Sequence, residues 1–165
     1  MAGAARGCGS CTLCCKVLGV TAVDKPQHVW CRHCTVGEGC AIHAERPQMC
    51  RDFYCMYVMN GSGLGEHWLP ARSHMVLCSV PSVPRIEVHV DDSVPDAWRK
   101  APYLGELRAF SRVALQNQGY VMVYEPDRMH VIMPDRIIDL GEPHPDKRIV
   151  QVVTRPHPAR RSTSS

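Results

Sequence analysis

Ten cysteines crowd into the first 78 of 165 residues, at positions 8, 11, 14, 15, 31, 34, 40, 50, 55 and 78, and none follows. An even count of this kind gives a disulfide framework in a secreted protein, but a cleavable leader needs a basic start, an apolar stretch and a cleavage site. Seven residues precede Cys8 and hold no such sequence, and no apolar run approaches the roughly 18 residues that a membrane helix requires. The expected compartment is therefore the reducing cytoplasm, with no membrane partner, and there clustered thiols most often bind metal.

The spacing sharpens this expectation. Cys8-Gly-Ser-Cys11-Thr-Leu-Cys14-Cys15 places sulfurs at two-residue intervals that turn inward toward one ion or cluster, and Cys31-Arg-His-Cys34 repeats the knuckle. Cys40, Cys50 and Cys55 follow at short separations. The nine thiols of Cys8, Cys11, Cys14, Cys15, Cys31, Cys34, Cys40, Cys50 and Cys55 exceed the four that close a tetrahedral site. They suit two closed sites with one thiol over, or one site accompanied by buried and redox-active thiols. Side chains of adjacent residues diverge, so Cys14 and Cys15 are expected to serve different sites.

Thiolate is a soft ligand that excludes Mg²⁺ and Ca²⁺ and leaves zinc or iron, the latter including a [4Fe-4S] cluster. Knuckle spacing favours zinc, whereas three cysteines at two-residue intervals match a bacterial ferredoxin run. That run continues with three residues and Cys-Pro; here Cys15 follows Cys14 directly, so a fourth iron ligand has to come from Cys50 or Cys55. The choice of metal stays open at this level. His33 and His43 lie inside the cluster as further imidazole candidates, though thiols in such excess make surface or supporting roles the simpler reading. Cys78 sits in an apolar run and reads equally well as a small buried hydrophobe. Arg46 and Arg51 are placed to offset the charge of a thiolate centre, or to be solvated helix residues, and Phe53 to cover the site.

Two Phe and three Trp give the chain few large side chains for a core, so something besides apolar burial has to stabilise it. Residues 8–55 have neither helical nor alternating periodicity and read as metal-organised loops, with short helical turns at 12–18 and 46–57 and Pro47 at a first helical position. From His74 the pattern changes. Residues 75–80 and 85–90 read as strands. Tyr103, Leu107, Phe110 and Ala114, widened by Leu104 and Leu115, form one amphipathic stripe that starts near Pro102 and stops at Gly119. Residues 120–124 and 129–133 flank Glu125-Pro126-Asp127-Arg128, which is β-turn chemistry, and strands are also expected at 136–140 and 148–153.

The expected fold is thus α+β: N-terminal Cys-rich loops with short helices, then a small antiparallel sheet built on hairpin 120–133 and packed with one helix near 103–118. The divisions fall at 8–78 for the cysteine-cluster region, 79–154 for the α+β region and 155–165 for a disordered tail. Arg155, Arg160 and Arg161 in that tail account for the whole formal excess of +3, leaving no basic face that would point to nucleic acid.

The Cys-x2-Cys-x2-Cys-Cys block, with Cys31, Cys34 and Cys40 and then Arg46-Pro47, Cys50-Arg51, Phe53 and Cys55, resembles the YkgJ-type cysteine cluster family, a zinc- or iron-chelating domain. The resemblance covers residues 8–55 and is weak beyond Cys78. It implies metal chelation by the cysteines and leaves the biological task undefined. Flagellin lysine N-methylases are similar in the cysteine pattern but carry a much larger context. Three functions follow as expectations: a metal-binding module whose centre is structural or carries electrons; a redox or group-transfer enzyme with an open metal site; or soft-metal storage and trafficking. No glycine-rich phosphate loop, His-Glu-x2-His helix or nucleophile–base pair supports an enzyme.

Overall fold

The computed structural model describes residues 6–59, 63–80 and 82–143. The fold is α+β, with a two-stranded sheet in the Cys-rich half and a five-stranded mixed sheet in the other. Up to residue 59 the regular elements are short: helix α1 (Cys14–Val17), a 3-10 turn at Thr21–Val23, strands β1 (Cys34–Thr35) and β2 (Gly39–Cys40), a 3-10 turn at His43–Glu45 and helix α2 (Gln48–Asp52). Pro47 stands one residue before its expected place, as the cap preceding α2. Of residues 6–59 only Thr12, Leu13, Val17, Lys25 and Cys55 are buried, which is the poverty of apolar burial anticipated for loops organised by something else.

The second half has an ordinary core. A 3-10 turn at Glu66–Trp68 and helix α3 (Pro70–Ser73) lead into β3 (Met75–Val80), β4 (Arg85–Val90), a 3-10 turn at Ala97–Arg99, α4 (Tyr103–Gln116), β5 (Tyr120–Tyr124), β6 (Met129–Ile132) and β7 (Ile137–Gly141). The strands lie in chain order, β3-β4-β5-β6-β7. All neighbours are antiparallel except β4 and β5, which run parallel from Arg85↔Tyr120 to His89↔Tyr124. The sheet is thus larger than the antiparallel one expected. A parallel neighbour cannot be reached by a tight turn, and α4 supplies the crossover. The expected strand at 148–153 and the tail at 155–165 lie outside the described residues.

Alternation along the strands sorts the core. Met75, Leu77, Val88, Val90, Val121, Val123 and Ile132 meet Leu107 and Ala114 of α4 together with Trp68 and Trp98. Trp68 and Trp98 are completely enclosed, so two of the three tryptophans are spent in this core. Their indole N–H groups donate to Glu106 and, at 2.6 Å, to Glu125 Oε1. Gly119 ends α4 for a steric reason: Gln118 takes the left-handed conformation, while a Cβ on Gly119 would lie 1.5 Å from the Pro84 carbonyl oxygen.

β3 faces two ways. Met75 and Leu77 enter the main core, whereas Val76 and Cys78 point to the opposite side, where Val76 joins Leu13, Val17 and Cys55 in a second small cluster. The Cys-rich half is fastened there.

Candidate metal centre

The cysteine positions are set by turns that the local sequence makes. The Cys11 amide donates to the Cys8 carbonyl at 2.9 Å and the Cys34 amide to Cys31 at 3.0 Å, so both Cys-x2-Cys segments close into the same tight turn. Gly9, at φ +55°, gives the first of these its left-handed residue. In β1 and β2, Cys34 is paired directly with Cys40. The Cys31 amide donates to the Cys15 carbonyl at 2.9 Å, which draws the second knuckle onto α1. Cys50 lies in α2. All ten thiols are free.

Side-chain proximity divides them into two gatherings. In the first, the Cys15 thiol is hydrogen-bonded to Cys14 and Cys34, and Cys50 lies within electrostatic reach of Cys15, Cys31 and Cys40. Cys14 and Cys15 open the four-residue helix α1 and interact with one another there. The hydrogen bond from Cys14, with burial second, holds the Cys15 thiol far above its ordinary value. Burial and the adjoining Cys15 push Cys34 up to about 11. Such thiols stay protonated until a cation replaces the proton.

In the second gathering, Cys8 interacts with Cys55 and Cys11 and, less strongly, with Cys15 of the first, while Cys55 interacts with Cys11 and Cys78 with Cys55. Cys55 is buried, and Cys11, Cys78 and Phe53 pack against the Leu13, Val17 and Val76 cluster that contains it. Phe53 is partly buried there. Among the described residues, no three His, Cys, Asp or Glu side chains converge closely enough to hold an ion as they stand. The donor chemistry fits a soft metal, and the sulfurs are gathered by the chain without being drawn to one point.

The sequence reading missed the principal cation. Lys25 is 6% exposed, and its ammonium donates to the carbonyls of Lys16 (2.8 Å), Leu18 and Pro26 (3.0 Å). Burial lowers its pKa, while Cys31, Cys15, Cys14 and Cys50 oppose that shift as thiolates. A lysine between Asp and Pro in a polar stretch carries no sequence signal of burial. By contrast Arg51 is spent on the carbonyls of Arg46 (2.9 Å) and Ala44 (3.0 Å), and Arg46 on the His43 carbonyl and ring. Arg46 retains a weak pull on Cys50. His43 is exposed, and His33 contributes its carbonyl to the Ala41 amide at 2.7 Å.

A cavity of about 590 Å³ lies elsewhere, lined by Met56, Leu64, Ile86, Phe110 and Val113 among others, and no cysteine enters it. No helix among the described residues is long and apolar enough to cross a membrane. No protein-family model, curated protein or solved structure matches the chain.

Proposed function

We propose that this chain is a cysteine-cluster protein of the YkgJ type that chelates zinc or iron through thiolates in a reducing cytoplasm, and that the metal gives residues 6–59 their shape. The observation that carries the reading is the pairing of two facts about one segment. Residues 6–59 hold nine free thiols and only five buried residues. A stretch that hides so little apolar surface cannot offset the conformational entropy of its ordering, roughly 1–2 kcal/mol per residue for the backbone alone. Ligation of a structural zinc contributes on the order of 10 kcal/mol or more, enough to change the balance.

Lys25 supports the same reading. A buried ammonium beside four thiols, with three carbonyls to hold it, is an unfavourable neighbour for thiols and a favourable one for thiolates on a metal. Anaerobic purification of the whole chain, followed by metal analysis and an absorption spectrum, is the test. Iron with a sulfide-dependent visible band identifies a cluster, and colourless protein with stoichiometric zinc identifies the knuckle alternative. Fully ordered protein containing neither metal would refute the proposal.

A further inference from the structure

We infer that Cys8, Cys11, Cys55 and Cys78 form a closed four-thiolate metal site of their own, separate from the centre around Cys15, and that this site fastens the amino-terminal segment to the back of β3. The inference rests on the proposed metal-binding function and goes beyond it by assigning ligands and by recruiting Cys78, which neither the knuckle spacing nor the family resemblance includes.

Three features of the fold bring these four residues together. The Cys8–Cys11 knuckle is closed by its own hydrogen bond, which presents two sulfurs from one turn. The Met56 amide donates to the Leu77 carbonyl at 2.7 Å, which lays the chain at Cys55 alongside β3 beside Cys78. The alternation of β3 then sends Cys78 to the same face as Val76, away from the main core, and onto the cluster where Cys55 is buried and Cys11 packs.

The count is also informative. Ten thiols divide into Cys14, Cys15, Cys31, Cys34, Cys40 and Cys50 on one side and these four on the other, and four thiolates close a tetrahedral zinc site without help from solvent. Leu13, Val17 and Val76 pack with Cys11, Cys55 and Cys78, an apolar setting that suits a structural centre, and Cys8 approaches from the exposed side. Cys15 belongs to the first gathering through Cys34, and α1 carries Cys14 at the seam, where it contacts both Cys15 and the apolar cluster.

The test uses the full chain, reduced, anaerobic and stripped of metal, titrated with Zn²⁺ alone and analysed for bound metal after desalting. Wild type is expected to retain two equivalents. Cys78→Ser and Cys8→Ser are each expected to retain one, whereas Cys50→Ser, which leaves five thiols around Cys15, is expected to retain both. Cys8 is exposed, so its variant reports ligation even if Cys78→Ser perturbs packing. If wild type binds zinc and both Cys8→Ser and Cys78→Ser keep its full stoichiometry and affinity, the separate site is disproved while metal binding stands. If a single equivalent is bound and is lost equally in Cys78→Ser and Cys50→Ser, the thiols form one mixed centre, and the inference again fails. A wild-type chain that takes up no zinc or iron removes the functional reading itself.

Discussion

The Lys16 ammonium lies 2.6 Å from Asp91 Oδ1, joining helix α1 in the middle of the thiols to the end of β4, 75 residues further along the chain. The carboxylate is nearly enclosed, with 6% of its side chain exposed, and it also receives the Ser93 hydroxyl at 2.8 Å and His74 Nδ1 at 3.3 Å. Lys16 reaches Asp92 as well, at 2.6 Å. This is the charged half of the junction whose apolar half is Leu13, Val17 and Val76.

Lys16→Met is expected to cost about 2 kcal/mol, somewhat below the 3–5 kcal/mol of a wholly buried pair because Lys16 keeps some solvent contact. The midpoint of urea unfolding measures it. An unchanged midpoint would mean that the junction rests on apolar contact alone.

Asp91 also makes stability depend on acid. Burial raises its pKa, but Lys16, Ser93 and His74 outweigh burial and hold it well below the ordinary carboxylate value of 3.8. A carboxylate depressed in the folded state stabilises fully above its unfolded pKa and loses that contribution as pH falls through the folded one. The stability gap between wild type and Asp91→Asn should therefore be constant near neutrality and narrow below about pH 4. A gap that widened in acid would contradict the assigned sign.

Lys25→Met leaves the carbonyls of Lys16, Leu18 and Pro26 without their donor. A loss of about 3 kcal/mol is expected, with zinc affinity weakened about tenfold because a cation supporting the thiolates has gone. Denaturant unfolding and competition against a chromophoric chelator give the two values. Affinity identical to wild type would remove Lys25 from the centre.

Stripping the metal should loosen residues 6–59 while the five-stranded sheet persists, since Trp68, Trp98 and the strand valines depend on no cysteine before β3. Amide hydrogen exchange before and after chelation resolves the two halves. Equal protection across the Cys-rich half in both states would argue that its order is intrinsic.

Gly119→Ala drives a methyl into the Pro84 carbonyl, a backbone atom that cannot rotate aside. A cost of about 3 kcal/mol is expected from the forced shift of α4 against β4. Thermal unfolding measures it, and a neutral result would mean that the β3–β4 turn moves freely.

Some of this was legible in the chain and some was not. The stripe of Tyr103, Leu107, Phe110 and Ala114 became α4, and Glu125-Pro126-Asp127-Arg128 became the β5–β6 turn, with the Glu125 amide on the Arg128 carbonyl at 2.8 Å. Both depend on residues a few positions apart, which a linear reading can see. The parallel pairing of β4 with β5 was missed because strand periodicity is the same in either direction. Lys25 was missed because its burial comes from the carbonyls of a loop that folds back around it.

The sequence by itself determined the kind of donor atom and the local turns that present it: sulfur is soft wherever it lies, and Cys-x2-Cys closes through a hydrogen bond between residues three apart. Only the tertiary structure decided which thiols are neighbours. Cys78 stands beside Cys55 because β3 alternates its faces and the Met56 amide bonds to Leu77, and such contacts, made across distant parts of the chain, leave no mark in the spacing of the cysteines.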